Sequence, residues 1–227
     1  MYPDYPNWAR DSVAGKGWRN GKTWEQKGEY QILFMKRQGL LPSHRMLDVG
    51  CGVLRGGVHF IKYLDEKMYF GFDKEPEFIR ISREEEVPRA GLEAKKPRLF
   101  ADDNFDFGKL GLKFDMGFCM SVFTHIVPEQ VETCLQNVKS SFVPGAKFFA
   151  TFHIAPDGKV DRSTPLESHT DLPHISWRKN ERMSVKYPPR RLIKIAERVG
   201  LEPKFIGPWE EPNSRKGVHS MMEFTVP

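Results

Sequence analysis

The chain has 227 residues, 39% of them apolar and 29% charged, with 17 Phe and 5 Trp. That is enough for one or two domains with a sizeable core, and it excludes a wholly disordered chain, a collagen, a coiled coil and a mucin-like stalk. No stretch reaches the roughly 18 uninterrupted apolar residues that a membrane span needs.

The first 20 residues carry Asp4, Arg10 and Asp11 where a signal peptide would need an apolar run, so a cytoplasmic protein is expected. Cys51, Cys119 and Cys134 are widely spaced and form no CxxC pair. Reduced thiols fit this pattern better than a disulfide framework or a thiolate zinc site. The net charge is +5, and the excess is local: between Arg178 and Lys194, seven basic residues face one acid, Glu181. Such a patch could attract phosphate or nucleic acid. With no aromatic interleaving or base-reading motif beside it, a solvated face is the simpler reading.

Residues 1–22 are rich in Gly, Pro, Trp and Arg without periodicity, which predicts an irregular arm. Thr23 with Gln26 forms a capping-box pattern that opens a helix to about Gln38, stopped by Gly39 and Pro42. Residues 1–44 thus make an arm and helix ahead of one domain over 45–227. Within that domain, strands are expected at 45–49, 68–72, 97–101, 114–120 and 147–154, the last entered through a turn at Pro144-Gly145. Helices are expected at 59–64, from Pro76 to about Glu86, and over 127–142, where Val127, Val131, Cys134, Leu135, Val138 and Phe142 recur at helical spacing. A helix over 189–199 and strands at 201–206 and 218–226 follow. The alternation predicts an α/β fold, a parallel sheet covered by helices on both faces. Residues 155–186 break the rhythm. They read as an irregular insertion beyond the fifth strand, on the side where open α/β sheets bind ligands.

The strongest motif is LDVGCGVLRGG, Leu47 to Gly57, between a strand and a helix. Gly50 and Gly52 allow a tight turn and close approach of a ligand to the backbone. Asp73 ends the next strand, where a ribose would need a carboxylate to accept from its hydroxyls. The spacing departs from GxGxxG, and Asp48 stands two positions ahead of the first glycine, which disfavours a pyrophosphate and favours a cationic ligand.

Here the sequence resembles the class I S-adenosylmethionine-dependent methyltransferases. The resemblance covers about residues 47–154 and rests on LDVGCG, GFDKEP (71–76), ADDNF (101–105), SVFTHI (121–126) and PGAKFFATFH (144–153). It implies a Rossmann-like, doubly wound, mostly parallel sheet of seven strands whose last strand is antiparallel. It also implies S-adenosylmethionine as cofactor and S-adenosylhomocysteine as product. Carried over by position, Asp48, Gly50, Cys51 and Gly52 hold the methionine part, Asp73 the ribose, and Asp102 or Asp103 the adenine amine; Ser121, opening SVFTHI, completes the set. LRGG and SVFTHI resemble a smaller bacterial and viral subset that modifies glycans and natural products. WEQKGEYQ, Trp24 to Gln31, resembles the helix that helps close the cofactor site there.

Transfer to an alcohol needs a general base, and histidine is the natural choice near neutral pH. His153 and His174 are the preferred candidates and His125 a weaker one, while His169 also falls on the expected substrate side. The positions where metal-dependent relatives carry acids read SVFTHI and HIAPDG. A metal-independent enzyme is therefore expected; those places leave only Asp157, and Asp171 between His169 and His174 is the remaining alternative. The expected acceptor is a hydroxyl of a sugar, glycan or other small molecule. A small-molecule amine is the alternative, and a nucleic acid on the basic patch a remote one, because the Pro-Pro-aromatic signature of base-amine methylation is absent. No membrane partner is expected.

Overall fold

The computed structural model describes residues 21–155, 174–177, 183–212 and 219–227. The chain forms two compact units. One comprises Met1–Asp106, Phe114–Phe118 and Glu211–Ser214; the other comprises Phe107–Lys113, Cys119–Glu210 and Arg215–Pro227.

In the first unit, α1 (Gly21–Arg37) precedes β1 (Met46–Val49), α2 (Gly57–Tyr63), β2 (Tyr69–Asp73), α3 (Pro76–Ile81), β3 (Arg98–Ala101) and all but the last residue of β4 (Phe114–Cys119). The strand order is β3-β2-β1-β4, and the β1-β2 and β2-β3 pairs are parallel. All four residues of β1 are buried, the acid Asp48 among three apolar ones, the continuous burial of a covered parallel strand. Edge-to-face pairs of Phe70 with Phe114 (5.2 Å between ring centroids) and Phe60 with Phe118 (5.8 Å) fill the core.

Two local expectations are corrected here. Helix α1 already runs from Gly21, so Thr23 lies inside it and does not cap it. The helix expected to stop near Glu86 continues through a π-helical turn, Ser82–Glu86, into Val87–Arg89. Pro88 has no N–H for the Glu84 carbonyl and its ring would crowd that oxygen, and the wider turn takes up the mismatch.

Helix α1 lies on the turn after the glycine loop because glycines allow it. A Cβ on Gly28 would come within 2.3 Å of the Arg55 carbonyl oxygen, and one on Gly56 within 2.1 Å of Gln31 Oε1. Gly28→Ala is expected to lower stability by about 1–3 kcal/mol, since a backbone oxygen cannot rotate away as a side chain would. A urea titration showing an unchanged midpoint would refute that contact.

The second unit holds α4 (Pro128–Ser141), β5 (Phe142–Ile154), β6 (His174–Trp177), β7 (Met183–Tyr187), α5 (Pro189–Arg198), β8 (Glu202–Trp209) and β9 (His219–Thr225). Helix α4 buries Val131, Cys134, Leu135 and Val138, the stripe its spacing predicts. Strand β9 runs antiparallel to β5 over 147–152 and pairs with β8 on its other edge. At its end β5 is met by β7 in parallel, and β6 pairs antiparallel with β7.

The described residues therefore carry nine strands against seven expected. The extra two, β6 and β7, fall in or at the end of the segment 155–186 read as irregular; β7 carries a short alternation, Met183, Val185 and Tyr187, and pairs with the end of β5. Residues 156–173 and 178–182 of that segment lie outside the described residues. Strand β5 begins five residues early, at Phe142, and runs through Pro144 and Gly145, where Gly145 keeps the positive φ (82°) of the expected turn. Gly145 N–H donates to the Val226 carbonyl (2.7 Å) and Val226 N–H to the Ala146 carbonyl (3.0 Å), so Gly145 and Ala146 both face Val226 as in a glycine bulge. The architecture is α/β of the Rossmann-like type, with parallel strands first and antiparallel strands at the C-terminal end.

Candidate active site

The glycine loop joins β1 to α2. Gly50 (φ 74°) and Gly52 (φ 55°) take the left-handed backbone that favours glycine. Gly50 and Cys51 N–H both donate to the Phe72 carbonyl, at 2.7 and 3.0 Å. The Asp73 carboxylate accepts from Gly52 N–H (2.9 Å) and from Glu75 N–H (3.0 Å), so one side chain ties the loop to the end of β2. The ideal Cβ position of Gly52 meets nothing within 4 Å. The loop thus presents an open face beside a carboxylate.

Beneath it, Asp48 is buried and accepts from the Tyr69 hydroxyl (2.7 Å). Burial pushes its pKa up from 3.8 to about 7; Tyr69 opposes this, the Asp73 charge adds to it, and Arg55 opposes it. Burial raises Asp73 as well, against the two amides it accepts. A buried acid and a half-buried one at one loop favour a ligand that brings positive charge. The sign for stability follows from linkage. Between about pH 4 and 7 the folded state retains a proton on Asp48 that the unfolded chain has released, so stability falls as pH rises through this window. At about 1.4 kcal/mol per pH unit the loss reaches up to about 4 kcal/mol. Asp48→Asn, which keeps an acceptor for Tyr69, is expected to flatten this slope. An unchanged slope in thermal melts across the window would refute it.

Cys51 is buried, and its thiol packs against Gly71, where a Cβ would approach Sγ to 3.0 Å. Burial pushes that thiol well up, with the Asp73 and Asp48 charges adding to it. Only its backbone serves the loop surface. Asp102 closes a turn, its Oδ1 accepting from Asn104 and Asp106 N–H (3.0 and 3.1 Å), while its own N–H donates to the Asp73 carbonyl (2.9 Å). Asp103 is exposed and accepts from the Asn104 amide (2.7 Å).

The sequence reading missed Glu211, which is buried in the first unit. It accepts from Gln31 Nε2 (2.8 Å) and pairs with Lys27 (3.5 Å) and Arg55 (3.8 Å). Arg55 also lies 5.9 Å from the centre of the Trp24 ring. The N-terminal helix and the turn after the glycine loop thus share one buried carboxylate.

In the second unit, Ser121 stands just past β4 with φ 62°, a strained backbone for a residue with a Cβ. Its N–H donates to Thr151 Oγ1 (2.7 Å), and its Oγ shares a hydrogen bond with His219 Nε2 (3.1 Å). The His219 ring lies 4.5 Å from that of His153, which is 7% exposed near the end of β5. Ser121, Thr151, His153 and His219 thus gather at one place. His219 was not among the expected residues, because a single histidine opening a distant strand carries no local signal. His125 is exposed, with its backbone in a turn to the Val122 carbonyl (2.9 Å). His174 opens β6 opposite Lys186 of β7. His169, Asp157 and Asp171 lie outside the described residues.

Residues 47–148 match the family model of the methyltransferase domain. Among solved structures, the chain is similar to the glycopeptide N-methyltransferase MtfA in complex with S-adenosylhomocysteine (TM-score 0.71, 14% identity, covering 89% of this chain and 90% of that one). It is also similar to magnesium protoporphyrin IX methyltransferase from Synechocystis PCC 6803 with bound S-adenosylhomocysteine (TM-score 0.69, 15% identity, 100% and 96%). A third similar structure is an S-adenosylmethionine-dependent methyltransferase from Methanosarcina mazei (TM-score 0.63, 14% identity, 85% and 97%). Residues 47–148 thus match a methyltransferase domain, and the cofactor these findings support is S-adenosylmethionine. No helix among the described residues is long and apolar enough to cross a membrane.

Proposed function

We propose that the protein methylates a hydroxyl of a sugar, glycan or other small molecule, with His153 as general base. The observation that carries this reading is the buried His153 ring against His219, itself tied to Ser121. When bound, S-adenosylmethionine supplies an activated methyl: the acceptor O–C bond forms as the C–S bond breaks, S-adenosylhomocysteine leaves neutral, and the hydroxyl proton goes to His153. The open face at Gly52 and the Asp73 carboxylate beside it suit that cationic ligand. In this reading Asp73 takes the ribose hydroxyls and Asp102, with Asp103 as the alternative, the adenine amine. Helix α1 closes the cofactor site through Glu211 and Arg55. Ser121 orients His219 and His219 supports His153, which removes the proton as alignment brings the oxygen in line.

An amine acceptor is the second reading, favoured by the likeness to a glycopeptide N-methyltransferase. The test is release of S-adenosylhomocysteine against a panel of sugars, phenols, amines and RNA. Turnover on amines alone would overturn the hydroxyl reading, and turnover on RNA alone would bring the basic segment 178–194 forward as the acceptor face. Turnover is expected to survive a chelator, because Thr124, His125 and Ile154 stand where metal-dependent relatives carry acids. Loss of activity restored by magnesium would show that inference wrong.

A further inference from the structure

We infer that the acceptor presents an anionic oxyacid group, a carboxylate or a phosphate, beside the hydroxyl that is methylated. The inference rests on the proposed role of His153 and names the substrate class for the same site. Its basis is a row of residues across the strand ends of the second unit. Lys186 of β7 is in register with His153 of β5, and His174 of β6 is in register with Lys186. On the other edge of β5, Phe152 pairs with Ser220, which sets His219 beside His153, and their rings lie 4.5 Å apart. Directly paired residues project from the same face of a sheet. Lys186 therefore shares the face on which His153 and His219 meet. It is half-buried between the buried Val185 and Tyr187, and among the described residues no carboxylate forms an ion pair with it.

A proton arriving on His153 builds positive charge next to a lysine and a second imidazole. Like charges at adjacent positions of a sheet disfavour one another, so a neutral acceptor would leave this charge uncompensated at the moment of transfer. An acceptor with its own anion opposite Lys186 removes the penalty and is held in register by it. A lysine ammonium suits either oxyacid, acting as a point charge.

The test uses the full chain saturated with S-adenosylhomocysteine, into which glucose, glucuronate and glucose 6-phosphate are titrated by calorimetry. At least one anion is expected to bind tenfold or more tightly than glucose. Lys186→Gln is expected to abolish the preference, and Lys186→Arg, which keeps the charge, to retain most of it. Both variants must bind S-adenosylhomocysteine as the parent does, which separates a folding defect from a recognition defect. The proposal is overturned if glucose binds as tightly as the anions, if Lys186→Gln keeps the preference, if Lys186→Arg loses it, or if no probe binds up to about 10 mM. Failure of S-adenosylhomocysteine itself to bind would overturn the proposed function instead. Glucuronate bound without glucose 6-phosphate, or the reverse, tells carboxylate from phosphate.

Discussion

His153→Ala is expected to lower the rate of methyl transfer to a hydroxyl acceptor by about 10²- to 10⁴-fold, with S-adenosylhomocysteine affinity unchanged. The side chain is buried near the end of β5 against His219, so its removal takes away a proton acceptor without touching the glycine loop. The acid limb of the pH–rate profile is expected to disappear with it. His219→Ala is expected to lower the rate less, because it acts by holding the His153 ring. The contrast with His174→Ala decides between the two preferred candidates. If His153→Ala and His174→Ala both retain more than about a third of the parent rate, acid–base catalysis by these residues is excluded. Either His125 is then the base or the nucleophile is an amine for which alignment suffices.

Asp73→Ala is expected to weaken S-adenosylmethionine binding by at least tenfold, about 1.4 kcal/mol. Two losses combine. The ribose hydroxyls lose a charged acceptor, worth about 1.5–3 kcal/mol per hydrogen bond at most, and the amides of Gly52 and Glu75 lose theirs. Asp73→Asn retains an oxygen for one amide and is expected to fall between the two. Calorimetry showing parent affinity in Asp73→Ala would sink the ribose assignment. Preference of the parent for NAD would sink the cofactor assignment with it.

The sequence by itself determined the α/β alternation, the placement of β1 to β4, the stripe of α4 and the glycine loop with Asp48 and Asp73. Each is a short-range property: a period of 3.6, an apolar run between turn residues, a glycine where the backbone turns left-handed. The tertiary structure decided the features that depend on distant partners. Segment 183–187 alternates Met183, Val185 and Tyr187 with polar residues, too short a signal to stand out in an irregular stretch, and the end of β5 offers it the edge that makes it a strand. Pro144 and Gly145 look like a turn and Gly145 keeps a turn φ of 82°, yet pairing with Val226 carries the strand through them. The role of Asp48 also depends on a distant partner. The structure sets it under the loop against Tyr69, 21 positions away, where burial governs its protonation. His219 lies 98 positions from Ser121, and Glu211 lies 180 from Gln31. No spacing rule connects residues so far apart in sequence, because their meeting is set by strand pairing and burial across the fold.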